Sequence, residues 1–125
     1  MDVNELTYLI RGACFEVHKE LGPGLFESVY EAALIFELKT LGLVVDSQID
    51  LPVLYKNNEL GLGFRIDILV ENKIVLEIKS VESLKNVHKK QILTYLRLAE
   101  KKVGYLVNFN AEILKDKESI IRVIN

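Results

Sequence analysis

The stretch that decides the fold is Phe64-Arg65-Ile66-Asp67-Ile68-Leu69-Val70-Glu71-Asn72-Lys73-Ile74-Val75-Leu76-Glu77-Ile78-Lys79-Ser80-Val81. Two apolar, strand-like runs flank the short polar link Glu71-Asn72-Lys73, which is the pattern of a β-hairpin. Side chains alternate across a strand, so Phe64, Ile66, Ile68 and Val70 are expected on one face and Arg65, Asp67 and Leu69 on the other. In the second run Ile74, Leu76 and Ile78 point one way and Val75, Glu77 and Lys79 the other. The two apolar faces must fall on the same side of the sheet, and this fixes the register. Pairing Val70 with Ile74 satisfies it. That register sets Asp67 across from Glu77, about 5 Å away at the Cβ atoms, and Arg65 across from Lys79.

The register has a chemical consequence. A carboxylate buried in a sheet is costly unless it is paired or binds a cation. Two that face each other also repel, which raises the pKa of one. A hard cation between them removes the penalty, and Mg2+ is commonly held by one or two carboxylates together with waters and substrate phosphates. Asp67, Glu77 and Lys79 therefore read as a site, where packing alone would have chosen Val or Ile. Arg65 is suited either to anchoring a phosphate or to neutralising the acidic pair.

Working outward, 125 residues are enough for one core and too few for two, so 1–125 is expected to form a single domain. Half the residues are hydrophobic (50%) and 27% are charged, an ordinary globular composition. No apolar run approaches the roughly 20 residues of a membrane span. Residues 1–12 lack the basic and apolar segments of a secretory signal. Cys14 is the only cysteine, which excludes an internal disulfide or an all-cysteine metal site within one chain. These features point to a reducing, cytoplasmic setting. Cys14 itself, among apolar neighbours in a helical pattern, reads as a buried packing residue.

The net charge of −2 excludes a protein that grips nucleic acid with its whole surface. The distribution is less even than the sum. Lys85, Lys89, Lys90, Arg97, Lys101 and Lys102 stand against Glu100 alone, a local basic face that suits phosphate contacts or simple solvation.

A first helix is expected over 5–21, with Leu6, Leu9, Ile10, Ala13, Val17 and Leu21 at helical spacing. Gly22-Pro23-Gly24 ends it, and His18 just before the break reads as structural. A second helix over 27–41 would bury Val29, Ala33, Phe36 and Leu41, with Leu34 and Leu38 beside them. Strand-like segments follow at 44–49, 51–55, 62–70 and 74–80, with a turn at Asn57-Asn58. A third helix spans 86–101, capped by Ser83 or Asn86. Residues 103–109 form a buried strand, and 118–124 supply a short edge strand. The order reads ααββββαβ. The strand after the third helix can return parallel to the Glu77 strand through a right-handed crossover. The expected class is α/β, a mixed central sheet flanked by helices.

Other residues are placed to converge on the acidic pair. Glu27 lies in the first turn of the second helix, where the dipole favours an acid in any case. Glu31 and Glu37 read as solvated positions on the same helix. On the third helix His88, Gln91 and Tyr95 are spaced i, i+3, i+7 and make a polar stripe beside the apolar Ile92, Leu96 and Ala99. Gln91 and Tyr95 have the donors and acceptors to hold a phosphate or an attacking water.

Asp67-x9-Glu77-x-Lys79 resembles the core signature of the PD-(D/E)xK nuclease superfamily. Gly24-Leu25-Phe26-Glu27-Ser28-Val29-Tyr30 is similar to the motif of its GxxExxY family. The hairpin, LPVLYKN (51–57), HKKQILTYL (88–96) and GYLVNF (104–109) extend the likeness over nearly the whole chain. The resemblance implies a restriction-endonuclease-like fold and a metal-dependent phosphodiesterase acting on DNA or RNA. It implies Asp67, Glu77 and the Ile78 backbone carbonyl as ligands of Mg2+ or Mn2+, with Glu27 completing the shell directly or through water. Lys79 becomes the catalytic lysine, and Gln91 and Tyr95 the motif of the following helix. Two positions depart from the pattern: Arg65-Ile66 precedes Asp67 where the superfamily name has proline, and Asn110 stands where glycine is expected. The competing readings are a catalytically silent nuclease-like module binding nucleic acid or a protein partner, and a phosphatase of small phosphate esters. So small a chain has few elements to wrap a polymer, which points to a homodimer or a protein partner completing the surface.

Overall fold

The chain turns twice as helix before it enters the sheet. In the computed structural model, which describes Met1–Asn125, α1 spans Val3–Leu21 and α2 spans Glu27–Thr40. The Asp2 carboxylate accepts a hydrogen bond from the Glu5 amide at 2.8 Å and caps α1. Strands β1 (Val45–Tyr55), β2 (Asn58–Val70) and β3 (Ile74–Lys79) follow, then α3 (Asn86–Ala99), β4 (Val103–Asn108) and β5 (Ile120–Ile124). The sheet is five-stranded in the order β1-β2-β3-β4-β5. Only β3 and β4 are parallel, joined through α3; the other pairs are antiparallel. This is the mixed α/β sheet with flanking helices that the sequence predicts, and its element order agrees in outline. The segments at 44–49 and 51–55 join into one long β1, and the tail supplies edge strand β5.

The helices cover opposite faces. Leu6, Ile10, Ala13, Cys14 and Val17 of α1 and Tyr30, Leu34 and Leu38 of α2 pack with Ile68, Val70, Ile74, Leu76 and Ile78. On the other face Ile92, Tyr95 and Leu96 of α3 pack with Ile66, Leu69, Val75 and Leu106. At Gly104 an added Cβ would stand 3.0 Å from Ile92 Cδ1 and 3.2 Å from the Val75 carbonyl oxygen, so the missing side chain lets α3 lie close on the sheet.

Several local expectations are corrected. On α2 the stripe Val29, Phe36 and Leu41 faces outward, 42%, 69% and 47% exposed, and the buried stripe is Tyr30, Leu34 and Leu38. The helix is apolar on more than one side, and Tyr30 decides its rotation by stacking on Phe109 at 4.8 Å. On α1 Leu21 is likewise exposed. The residue capping α3 is Lys85, whose backbone amide donates to His88 Nδ1 at 3.0 Å; neither Ser83 nor Asn86 holds that position.

The departure from regular alternation nearest the acidic pair lies in β2. Ile68 and Val70 lie under α1 and α2, but Ile66 lies with α3, and Phe64 touches Tyr95 on that same side. The strand changes face at Asp67. Opposite it on β1, Gln48 has φ 53°, and β1 changes face with it: Val45 packs under α1 and α2, whereas Ile49 and Leu51 pack on the α3 side. Alternation alone would have kept Phe64 and Ile66 with Ile68.

Cys14 is buried, and burial pushes its thiol up to about 12. His18 is structural, its Nε2 contacting the Ala111 carbonyl oxygen at 2.6 Å. No helix is long and apolar enough to cross a membrane.

Candidate active site

The ladder between β2 and β3 runs Val70↔Ile74, Leu69↔Val75, Ile68↔Leu76 and stops there. At the next level the strands fork, and two side chains take over the work of the ladder. Asp67 Oδ2 accepts from the Ile78 amide at 2.9 Å, and Glu77 Oε1 accepts from the Asp67 amide at 3.3 Å. Asp67 Oδ1 and Glu77 Oε2 are left without a protein donor. In an extended strand the N–H and C=O of one residue point to the same side, so the Ile78 carbonyl opens on the fork as well. The Lys79 carbonyl, one residue on, turns the other way and accepts from the Phe109 amide at 2.9 Å.

Both acids are held against their chemistry. Glu77 is only 4% exposed; burial first, and the Asp67 charge second, push its carboxyl up to about 8. Burial pushes Asp67 up to about 6, opposed by the Ile78 hydrogen bond and reinforced by the charge of Glu31. Groups this close titrate as a pair, and near neutral pH the pair retains a proton.

Lys79 follows Glu77 by two residues and therefore shares its face of β3, toward α3. Its Nζ donates to Gln91 Oε1 at 3.3 Å. Tyr95, one turn further along α3, is buried; burial and then the charges of Glu77 and Asp67 push its hydroxyl up to about 12, so it stays a proton donor. His88, the third member of the polar stripe, spends Nδ1 on its own helix cap.

Glu27 reaches the end of β3 from the first turn of α2. Its Oε2 accepts from the Ser80 amide at 3.0 Å, and Ser80 Oγ donates to the Leu25 carbonyl at 2.6 Å. The Tyr30 hydroxyl holds the loop before Glu27 by donating to the Gly22 carbonyl at 2.6 Å and accepting from the Leu25 amide at 3.1 Å. Asn110, at the position where glycine was expected, has a defined role: its Oδ1 accepts from the Gly24 amide at 3.0 Å and its Nδ2 donates to the Val81 carbonyl at 3.2 Å. Buried Asn108 takes both backbone groups of Val81, at 3.0 and 2.9 Å. These side chains tie the Gly-Pro-Gly loop, the segment after β3 and the end of β4 into one support.

Two residues behave differently from their sequence reading. Glu31 is half-buried, its carboxylate accepting from Gln48 Nε2 at 2.7 Å, and its charge is felt at Asp67; it belongs to the site's surroundings. Its spacing of four from Glu27, one helical turn, was the available signal. Arg65 pairs with Asp50 at 3.0 Å on the exposed ribbon, and with the ladder ended it has no register with Lys79.

The structure thus joins Asp67, Glu77 and the Ile78 backbone at the fork, and Lys79 to Gln91. Glu27 stands apart, bonded to Ser80, and no three acidic, histidine or cysteine side chains lie close enough to form a ready metal cage.

A mixed sheet whose central hairpin forks around one acid from each arm, with a lysine two residues beyond and helices on both faces, has the build of a restriction-endonuclease-like fold. The sequence agrees: residues 4–123 match the family model of the PD-(D/E)XK nuclease superfamily, and the chain belongs to it. Nucleases of that superfamily generally use divalent metals. No curated protein and no solved structure matches the chain.

Proposed function

We propose that this chain is a metal-dependent nuclease of the GxxExxY group, hydrolysing phosphodiester bonds of DNA or RNA with Mg2+ or Mn2+. Residues 1–125 would act as one nuclease-like domain. The fork carries the reading. Its donors are all oxygen, suited to a hard cation, and the nearby Lys79 charge offsets only part of the burial and mutual repulsion of its two crowded carboxylates. Asp67, Glu77 and the Ile78 carbonyl would hold the ion, with Glu27 joining directly or through water after leaving Ser80. When bound, the ion polarises a phosphoryl oxygen and acidifies water.

The remaining residues position and stabilise. Gln91 fixes the Lys79 ammonium beside the fork, where its other protons can orient a nucleophilic water or neutralise charge developing on the phosphate. Tyr95 offers a hydroxyl that stays protonated at any working pH. Gln91 also carries an amide group that can donate to a phosphate oxygen. One observation favours the second reading, a silent binding module: the Glu27 carboxylate is engaged by Ser80, away from the acidic pair.

The test is cleavage of labelled single- and double-stranded DNA and RNA with Mg2+ or Mn2+, beside EDTA and Glu77→Ala controls. Metal-dependent cleavage abolished by both controls is expected. Metal binding with no cleavage of any polymer would move the assignment to the binding module.

A further inference from the structure

The change of face at Asp67 places an aromatic ring where a regular strand would not. Phe64 comes to the α3 side, its ring centroid 5.3 Å from that of Tyr95 at a 49° tilt, and 37% of it remains exposed. It borders a recess on α3 together with Lys79, Lys90, Gln91 and Thr94. An exposed aromatic ring beside two ammonium groups matches a partner that carries both a π-face and a phosphate, which is a nucleotide. Base–aromatic stacking of this kind tolerates any base but requires the base face to be free, and in a duplex it is not.

Charge around the fork points the same way. On the α3 side the recess is lined by the cations Lys79 and Lys90. On its other side Phe64 borders the hairpin ribbon with Asp50, Glu59 and Arg65, where Arg65 is already tied to Asp50. The α2 flank carries Glu27 and Glu31, whose charges reach Asp67. One phosphate backbone has a track beside Lys79 and Lys90; a second would meet carboxylates.

We propose that this recess is a nucleotide subsite in which Phe64 stacks on an unpaired base next to the scissile phosphate, making single-stranded nucleic acid the substrate class. This rests on the nuclease reading for the scissile phosphate alone. The stacking surface and the cations stand without it.

The test is fluorescence anisotropy in EDTA with 5′-fluorescein oligo-dT, oligo-U and a blunt hairpin duplex. The wild-type chain should bind the single strands more tightly than the duplex. Phe64→Leu, which keeps apolar bulk against Tyr95, should weaken single-strand binding about 5- to 100-fold and leave duplex binding unchanged. Phe64→Tyr and Phe64→Trp should retain it. Lys90→Ala should lower the salt slope on single strands by about 0.7. Duplex bound as tightly as single strand, no binding of any oligonucleotide, or Phe64→Leu equal to wild type on single strands would each overturn the subsite. Phe64-dependent binding with no cleavage in Mg2+ or Mn2+ would remove the nuclease reading and leave the subsite; cleavage indifferent to Phe64 and to strandedness would do the reverse.

Discussion

Glu77 lies almost fully buried next to a second acid, and its effect on stability has a definite sign. An unfolded glutamate titrates near 4.3, roughly, and this one is pushed up to about 8. A raised carboxyl favours the folded state fully below the unfolded value, and that advantage is lost as pH rises through the folded values, from about 6 for Asp67 to about 8 for Glu77. In EDTA at pH 8.5, Glu77→Gln should therefore be more stable than wild type by at least about 1 kcal/mol, roughly 3–6 °C in Tm. Near pH 4 the two should melt together. Thermal melts by circular dichroism decide it, and a lower Tm for the variant at pH 8.5 would show the carboxylate to be stabilising. Cys14, pushed up to about 12 by burial, should not react with a thiol reagent in the native state, and should give one equivalent once unfolded. The acidic pair was legible in the sequence because a three-residue link and two apolar faces leave one register. The Ser80 partner of Glu27 and the asparagines that support the neighbouring loops were not legible. Ser80, Asn108 and Asn110 lie far along the chain, and nothing local marks an asparagine that clamps a loop.

At the scale of elements, the support under Glu27 is assembled from pieces distant in sequence. Tyr30→Phe deletes the hydroxyl that bridges Gly22 and Leu25; a loss of about 1–2 kcal/mol is expected by urea titration, from two hydrogen bonds of modest net value. The ring stack on Phe109 remains in that variant, so the fold is kept. Gly104→Ala would drive a methyl against Ile92, Leu96 and the Val75 carbonyl and push α3 outward. Overpacking of this kind costs about 1–3 kcal/mol. Because α3 carries Gln91, the same variant should lower catalytic activity more than binding, a difference that kcat and KM measured separately will show. Element order and the parallel β3–β4 crossover were readable from apolar runs and breakers. The rotation of α2 was not, since its apolar residues offer more than one stripe and Phe109 selects Tyr30. The switch of face in β2 was hidden too, because Ile66 and Ile68 are the same residue type on opposite sides.

Over the whole molecule, the sheet is built to open at one place. The β2–β3 ladder ends at Ile68↔Leu76, and the fork beyond it collects the acids of two strands, the lysine of one and the glutamine of α3. Glu27 on one face of the sheet and Gln91 and Tyr95 on the other flank the open end of the hairpin. Calorimetric titration of the metal-free chain with Mn2+ shows whether that fork holds a divalent ion. Near pH 7, in buffers of different ionisation enthalpy, one ion should bind per chain with release of close to one proton, because the crowded pair must give up the proton it shares. Asp67→Asn and Glu77→Gln should abolish both signals while remaining folded. Binding that persists unchanged in these variants, or no binding in wild type, would contradict a metal site at the fork.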